Sequence, residues 1–143
     1  MFGKHQNNQR KAPEELVTIA KREIQNVLFD VSGVSYVMLC STDGFEIASV
    51  NKRDVNNSGK LAAVSSSILA MVSAFVNEIQ LVGCQSVTLD AENGKAILTS
   101  IPARNHPMII VTISARDVLL GQLLHAVKRA SDNIALADSR ISR

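Results

Sequence analysis

Tryptophan is absent from this 143-residue chain, and its aromatic residues, one tyrosine and four phenylalanines, make up only 3%. A single-strand nucleic-acid binder built on base stacking needs more of them. Cysteines number two, Cys40 and Cys84, both in apolar surroundings. They read as reduced thiols of a cytoplasmic protein, not as a disulfide framework. No run approaches the roughly 18 consecutive apolar residues of a membrane span. The opening Met1-Phe2-Gly3-Lys4-His5-Gln6-Asn7 lacks the apolar stretch of a signal peptide. Charge is scarce at 20% against 46% hydrophobic residues, which excludes a disordered acidic segment and predicts a packed core.

Catalytic signatures are equally missing. The chain holds no Gly-x-x-x-x-Gly-Lys-Ser/Thr loop for a nucleoside triphosphate, no Gly-x-Gly-x-x-Gly fingerprint, no nucleophile elbow and no His-Glu-x-x-His helix. Its histidines, His5, His106 and His125, have no second ligand at metal spacing, and Cys40 and Cys84 are not a close pair. Asp43 before Gly44 is explained by turn chemistry alone. The expectation is a non-enzyme with no catalytic residue, no metal and no cofactor. Arg104 and His106, between two prolines, read as an exposed polar loop open to a partner contact.

What charge there is sits unevenly. Lys4, Arg10 and Lys11 occupy residues 1–12 with no acid among them. Without these three, 12 basic residues face 13 acidic ones, so the net charge of +2 comes from a short basic tail over 1–12. A folded domain is expected over 13–133 and a polar C-terminal tail over 134–143. Nucleic acid is not expected as a partner.

Pro13, Glu14 and Glu15 open a helix, and Leu16, Ala20, Ile24, Val27 and Leu28 recur on one face of it. Val34–Ser41 and Phe45–Val50 form a hairpin around Thr42-Asp43-Gly44. Ser58 caps a long helix over about 59–82. A second hairpin, 84–89 with 95–101, turns at Glu92-Asn93-Gly94, a fifth strand covers 108–113, and a last helix starts near Arg116. Strands 34–41 and 108–113 are apolar on both faces and belong at the centre, whereas 45–50 and 84–90 alternate and belong at the edges. The fold class is therefore α+β: one five-stranded antiparallel sheet of order 2-1-5-4-3, the long helix on one face and two helices on the other.

The long helix is too apolar for a lone domain. Leu61, Val64, Ile68, Met71, Phe75 and Ile79 form a stripe that can sit on the sheet. Leu69, Val72 and Val76 continue the apolar surface, and Ala63, Ser66, Ser67, Ala70 and Ala74 fill the next face with small residues. Only Lys60 and Glu78 carry charge. Either another helix of the same chain covers it, or a second copy does. The edge strand, without Lys, Pro or acid before Asp90, points to the second copy. A dimer interface is expected at Ala63, Ser66, Ser67, Ala70, Ala74, Cys84, Ser86, Val87 and Thr88, with a further partner on Leu69, Val72, Ser73 and Val76.

Four segments carry a family likeness: Val31-Ser32-Gly33-Val34, then Ser41-Thr42-Asp43-Gly44-Phe45-Glu46-Ile47-Ala48, then Glu92-Asn93-Gly94, and Leu119-Leu120-Gly121-Gln122-Leu123-Leu124. With the small-residue helix between them, residues 15–130 resemble the Roadblock family of small dimeric domains. That resemblance implies the fold read above and dimerisation through the long helix and third strand. It also implies a homodimer or a pair with a Roadblock-like paralogue, acting as a non-enzymatic regulator or adaptor for a small Ras-like GTPase. A structural scaffold or light-chain-type subunit without a GTPase partner is the alternative it leaves.

Overall fold

The computed structural model describes residues 12–52, 58–83 and 85–141. Helix α1 spans Glu14–Asp30, and strands β1 and β2 span Val34–Ser41 and Glu46–Asn51. Helix α2 spans Ser58–Glu78; β3, β4 and β5 span Ser86–Ala91, Gly94–Ile101 and Met108–Ser114; α3 spans Leu120–Ile141. All five strands are antiparallel in one sheet of order β2-β1-β5-β4-β3. Centre and edges fall where face polarity puts them: β1 and β5 are buried on both faces, and β3 is exposed along nearly its whole length.

Turn chemistry sets both hairpins. Gly44 takes φ 96°, closed to most side chains, and a Cβ there would lie 3.2 Å from the Ala63 Cα. Helix α2 thus runs close over the first turn. Ala91 pairs with Gly94, leaving Glu92-Asn93 as the loop, and a Cβ on Gly94 would stand 2.7 Å from the Ser114 carbonyl oxygen.

Two cores flank the sheet. On one side α1 and α3 pack on the sheet and on each other, burying the five expected α1 residues with Val37, Leu39, Ile97, Ile101 and Ile110. From α3 this core receives Leu123, Val127, Ala130 and Ile134, while Leu120 and Leu124 are only half-buried. On the other side α2 alone covers Tyr36, Met38, Cys40, Ile109 and Val111. It lies over β1 and reaches β2 and β5, so β3 has neither face roofed by a helix.

Several expectations are corrected. Ser58 is the first residue of α2 and its hydroxyl donates to the Glu46 carboxylate. The last helix begins at Leu120, after a turn. Residues 134–141 are no loose tail: α3 continues through them and buries Ile134, Ala137 and Asp138. The physical reason is a long-range polar lock. Asp138, fully buried, accepts from the Asn105 amide N–H at 2.9 Å and contacts His106 Nδ1 at 2.7 Å, while Asn105 Nδ2 donates to the Asp138 carbonyl. The loop read as exposed is thereby partly tied down, although Arg104 remains exposed. The basic residues 1–11 lie outside the described residues.

Helix α2 ends in a left-handed residue. Gln80 has φ 62°, its N–H bonds to the Asn77 carbonyl, and the Leu81 N–H bonds to Val76. This is a Schellman closure with glutamine where glycine is usual. Gln80→Gly is expected to raise unfolding free energy by about 0.5–1 kcal/mol, read in urea melts. In the same assay Asp138→Ala should lower it by about 1–3 kcal/mol, because the Asn105 N–H and His106 Nδ1 lose a buried acceptor and its contacts, and Asp138→Asn by less.

Candidate interaction surface

Helix α2 presents its narrow side to the sheet. Ala62, Ser65 and Leu69 are buried there, with Leu61, Ile68, Val72 and Val76 half-buried beside them. Of the stripe expected on the sheet, Leu61 and Ile68 stay against this core and the other four residues turn away from it. Val64, Met71, Phe75 and Ile79 are 45–65% exposed. Leu69, expected to meet a partner, packs on its own sheet instead, and Val72 and Val76 lean the same way; Ser73 is exposed. Close approach explains the turn. Ala62 and Ser65 let the backbone settle on β1, and Ser66 donates its hydroxyl to the Thr42 carbonyl of the first hairpin. Larger side chains on that side would hold the helix off the sheet.

The outer face keeps the small residues. Ala63, Ser67, Ala70 and Ala74 run down its middle and are all exposed; Ser66 is half-buried against the hairpin. Ser67 turns its hydroxyl back to the Ala63 carbonyl at 3.2 Å. Val64, Met71 and Phe75 flank this line, and Leu81 and Val82 extend the apolar surface past the helix end, 59% and 96% exposed. By length and composition α2 is apolar enough to cross a membrane. Here it is the helix seated on one face of the sheet. Sequence reasoning missed Val64, Met71, Phe75 and Ile79 as surface residues. The signal that could have placed them was phase: their arc adjoins the small-residue line, not Leu69.

Beside α2 lies the bare edge. Among the described residues β3 pairs only with β4. Ser86 and Thr88 are exposed on one face, while Val87 is half-buried and Leu89 exposed on the other, the α2 side. Cys84 lies outside the described residues. Only the far end is blunted: Asp90 is bonded to Lys95 at 2.7 Å, and that ammonium holds its carboxyl below the usual carboxylate range. The structure thus leaves two neighbouring apolar strips open, the outside of α2 and the α2-side of β3.

Beneath α2 the sheet is chemically quiet. Burial, with the Glu46 carboxylate adding to it, pushes the Cys40 thiol up to about 12. Burial is also the main reason the Tyr36 phenol is raised, and Ser49 opposes it. No group of three or more His, Cys, Asp or Glu that could hold a metal occurs among the described residues. A thiol held protonated and covered is not a nucleophile. Native alkylation at pH 8 is expected to leave Cys40 unmodified, with labelling only in denaturant, read by peptide mass spectrometry.

This architecture has known counterparts. A gliding protein, MglB, from Thermus thermophilus superposes with a TM-score of 0.80 at 16% identity, covering 91% of this chain and 96% of that one. MglB of Myxococcus xanthus gives 0.73 at 15% identity, covering 90% and 98%. An MglB in a tetrameric arrangement gives 0.80 at 16%, covering 91% and 95%. No curated protein matches the chain by sequence. At such identities the superpositions establish the fold alone. The Roadblock/LC7 domain profile, however, matches residues 21–112, from within α1 through both hairpins and α2 into β5, and so the chain belongs to the Roadblock/LC7 domain family.

Proposed function

We propose that the protein is a dimeric, non-catalytic regulator or adaptor that binds a small Ras-like GTPase and modulates its nucleotide cycle. The observation that carries this reading is the outer face of α2, without charge between Lys60 and Glu78 and largely open to solvent. Exposed apolar area of that kind on a soluble domain marks an association surface. Support comes also from the family, whose members are generally non-catalytic regulators, and from the likeness to MglB, one example of which is tetrameric.

In the proposed dimer, Ala63, Ser67, Ala70 and Ala74 of two copies meet, since small side chains let backbones approach. The β3 edges, at Ser86, Val87 and Thr88, pair across the same two-fold axis. Val64, Met71, Phe75 and Ser73, at the margins of the helix pair, then receive the GTPase. With no phosphate loop of its own, the domain acts by holding the partner's switch segments in one geometry, so its affinity must differ between nucleotide states.

Ala70→Arg tests the self-association. The side chain is exposed in the single chain, so folding should be unchanged by circular dichroism. Solution mass at micromolar concentration should fall to that of the monomer; an unchanged mass moves the contact elsewhere. The regulatory reading predicts unequal capture of a Ras-like GTPase loaded with GDP or with a GTP analogue. Equal or absent capture leaves the scaffold.

A further inference from the structure

The sheet face opposite α2 carries a cleft that the reading above does not use. It is a half-open groove of about 460 Å³ between the β3–β4 corner and α3. Leu124, Val127 and Pro102 give it apolar walls. Thr99, Ser131 and Ser86 line it with hydroxyls, and Gln85 adds a carboxamide. Its charges are Lys128 and Asp132, 3.8 Å apart on one rim and self-cancelling.

One residue there is not explained by packing. Thr99 is 8% exposed, and its Oγ1 is buried without a hydrogen-bond partner. Its neighbours on the same face of β4, Ile97 and Ile101, are aliphatic and fully packed. Valine would fill the same space, and a buried hydroxyl left unpaired costs free energy. Ser131, 4% exposed on the facing helix, is a second hydroxyl set among the buried Val127, Ala130 and Ile134 of α3.

We propose that this cleft binds an extended peptide segment of a protein partner. The chemistry selects that class. Without excess charge it does not suit a phosphate, a nucleic acid strand or a carboxylate metabolite. Neutral donors and acceptors beside an aliphatic wall suit backbone amides carrying an apolar side chain: the amides meet Thr99, Ser131 and Gln85, and the side chain lies against Leu124 and Val127. The size falls within the range of formed binding sites. Neither α1 nor α3 covers β3 here, so a chain has a way in past Ser86 and Thr88. Because the cleft and the outer face of α2 are on opposite sides of the sheet, both can be occupied at once. The proposal therefore stands or falls apart from the GTPase reading.

The test uses the full chain and a phage-displayed library of linear twelve-residue peptides. Enriched peptides are synthesised and titrated into ¹⁵N-labelled protein. Amide shifts are expected at Ser86, Thr99, Val127, Lys128 and Ser131, with Met71 and Phe75 unmoved. Thr99→Val should weaken binding about fivefold while leaving the thermal midpoint of the free protein unchanged or higher, which separates lost recognition from lost folding. No enriched peptide, shifts confined to α2 or the β3 edge, or equal affinity for Thr99→Val would each overturn the proposal and leave a solvent-filled corner.

Discussion

Two central strands apolar on both faces require helical cover on both sides of the sheet, and the described residues hold three helices to provide it. α1 and α3 pack on one face and on each other. α2 is left to cover the other alone, and it can roof only β2, β1 and β5. A single helix about 10 Å across cannot span five strands set nearly 5 Å apart. What remains uncovered follows from that shortage: the margin of the sheet at β3, and the side of α2 facing away from it. A second layer on α2 would hide both, and the described residues of this chain contain no further helix to supply one.

The close seating of α2 is the second constraint. Its sheet side is built from Ala62 and Ser65, with Leu69 the one large buried side chain. Gly44 lies under Ala63, and Ser58 and Ser66 bond the first hairpin at Glu46 and Thr42. Small residues thus serve this helix twice. On the inner side they bring it down onto β1 and the hairpin, and on the outer side they leave a smooth line flanked by Val64, Met71 and Phe75. The inner set explains the fold. The outer set has no such explanation among the described residues, which is why it bears on function.

Much of the fold could be read from the residues. α1 announced its inner face through five aliphatics at helical spacing, and all five are buried. Strand order followed from which strands alternate and which do not, and both turns from Gly44 and Gly94. The phase of α2 could not be read, because a helix apolar almost all round has no polar side to fix its rotation. Counting large side chains put Met71 and Phe75 on the sheet, whereas close packing favoured the smaller ones. The end of α3 was missed for a different reason. Asp138-Ser139-Arg140 looks like part of a solvated tail, and what buries Asp138 is a loop some thirty residues earlier in the chain. A pairing of that range leaves no local pattern.

The candidate surface was legible in its composition and not in its outline. Missing charge along residues 61–77 located it, and the same absence blurred its borders, so Leu69, buried on the sheet, falls in one group with the exposed Ser73. The two sheet faces then differ in the chemistry they leave open. On the α2 side the open surface is apolar, Val87 and Leu89 on β3 and Phe75 and Met71 on α2, and it favours lasting burial because water gains nothing there. On the α3 side the open strip of β3 is Ser86 and Thr88, and the hydroxyls continue inward to Thr99. Such a surface tolerates water and can exchange it for a partner's amides at little cost either way. One face is thus suited to a lasting contact and the other to a reversible one, a division that follows from where a third helix runs out of sheet to cover.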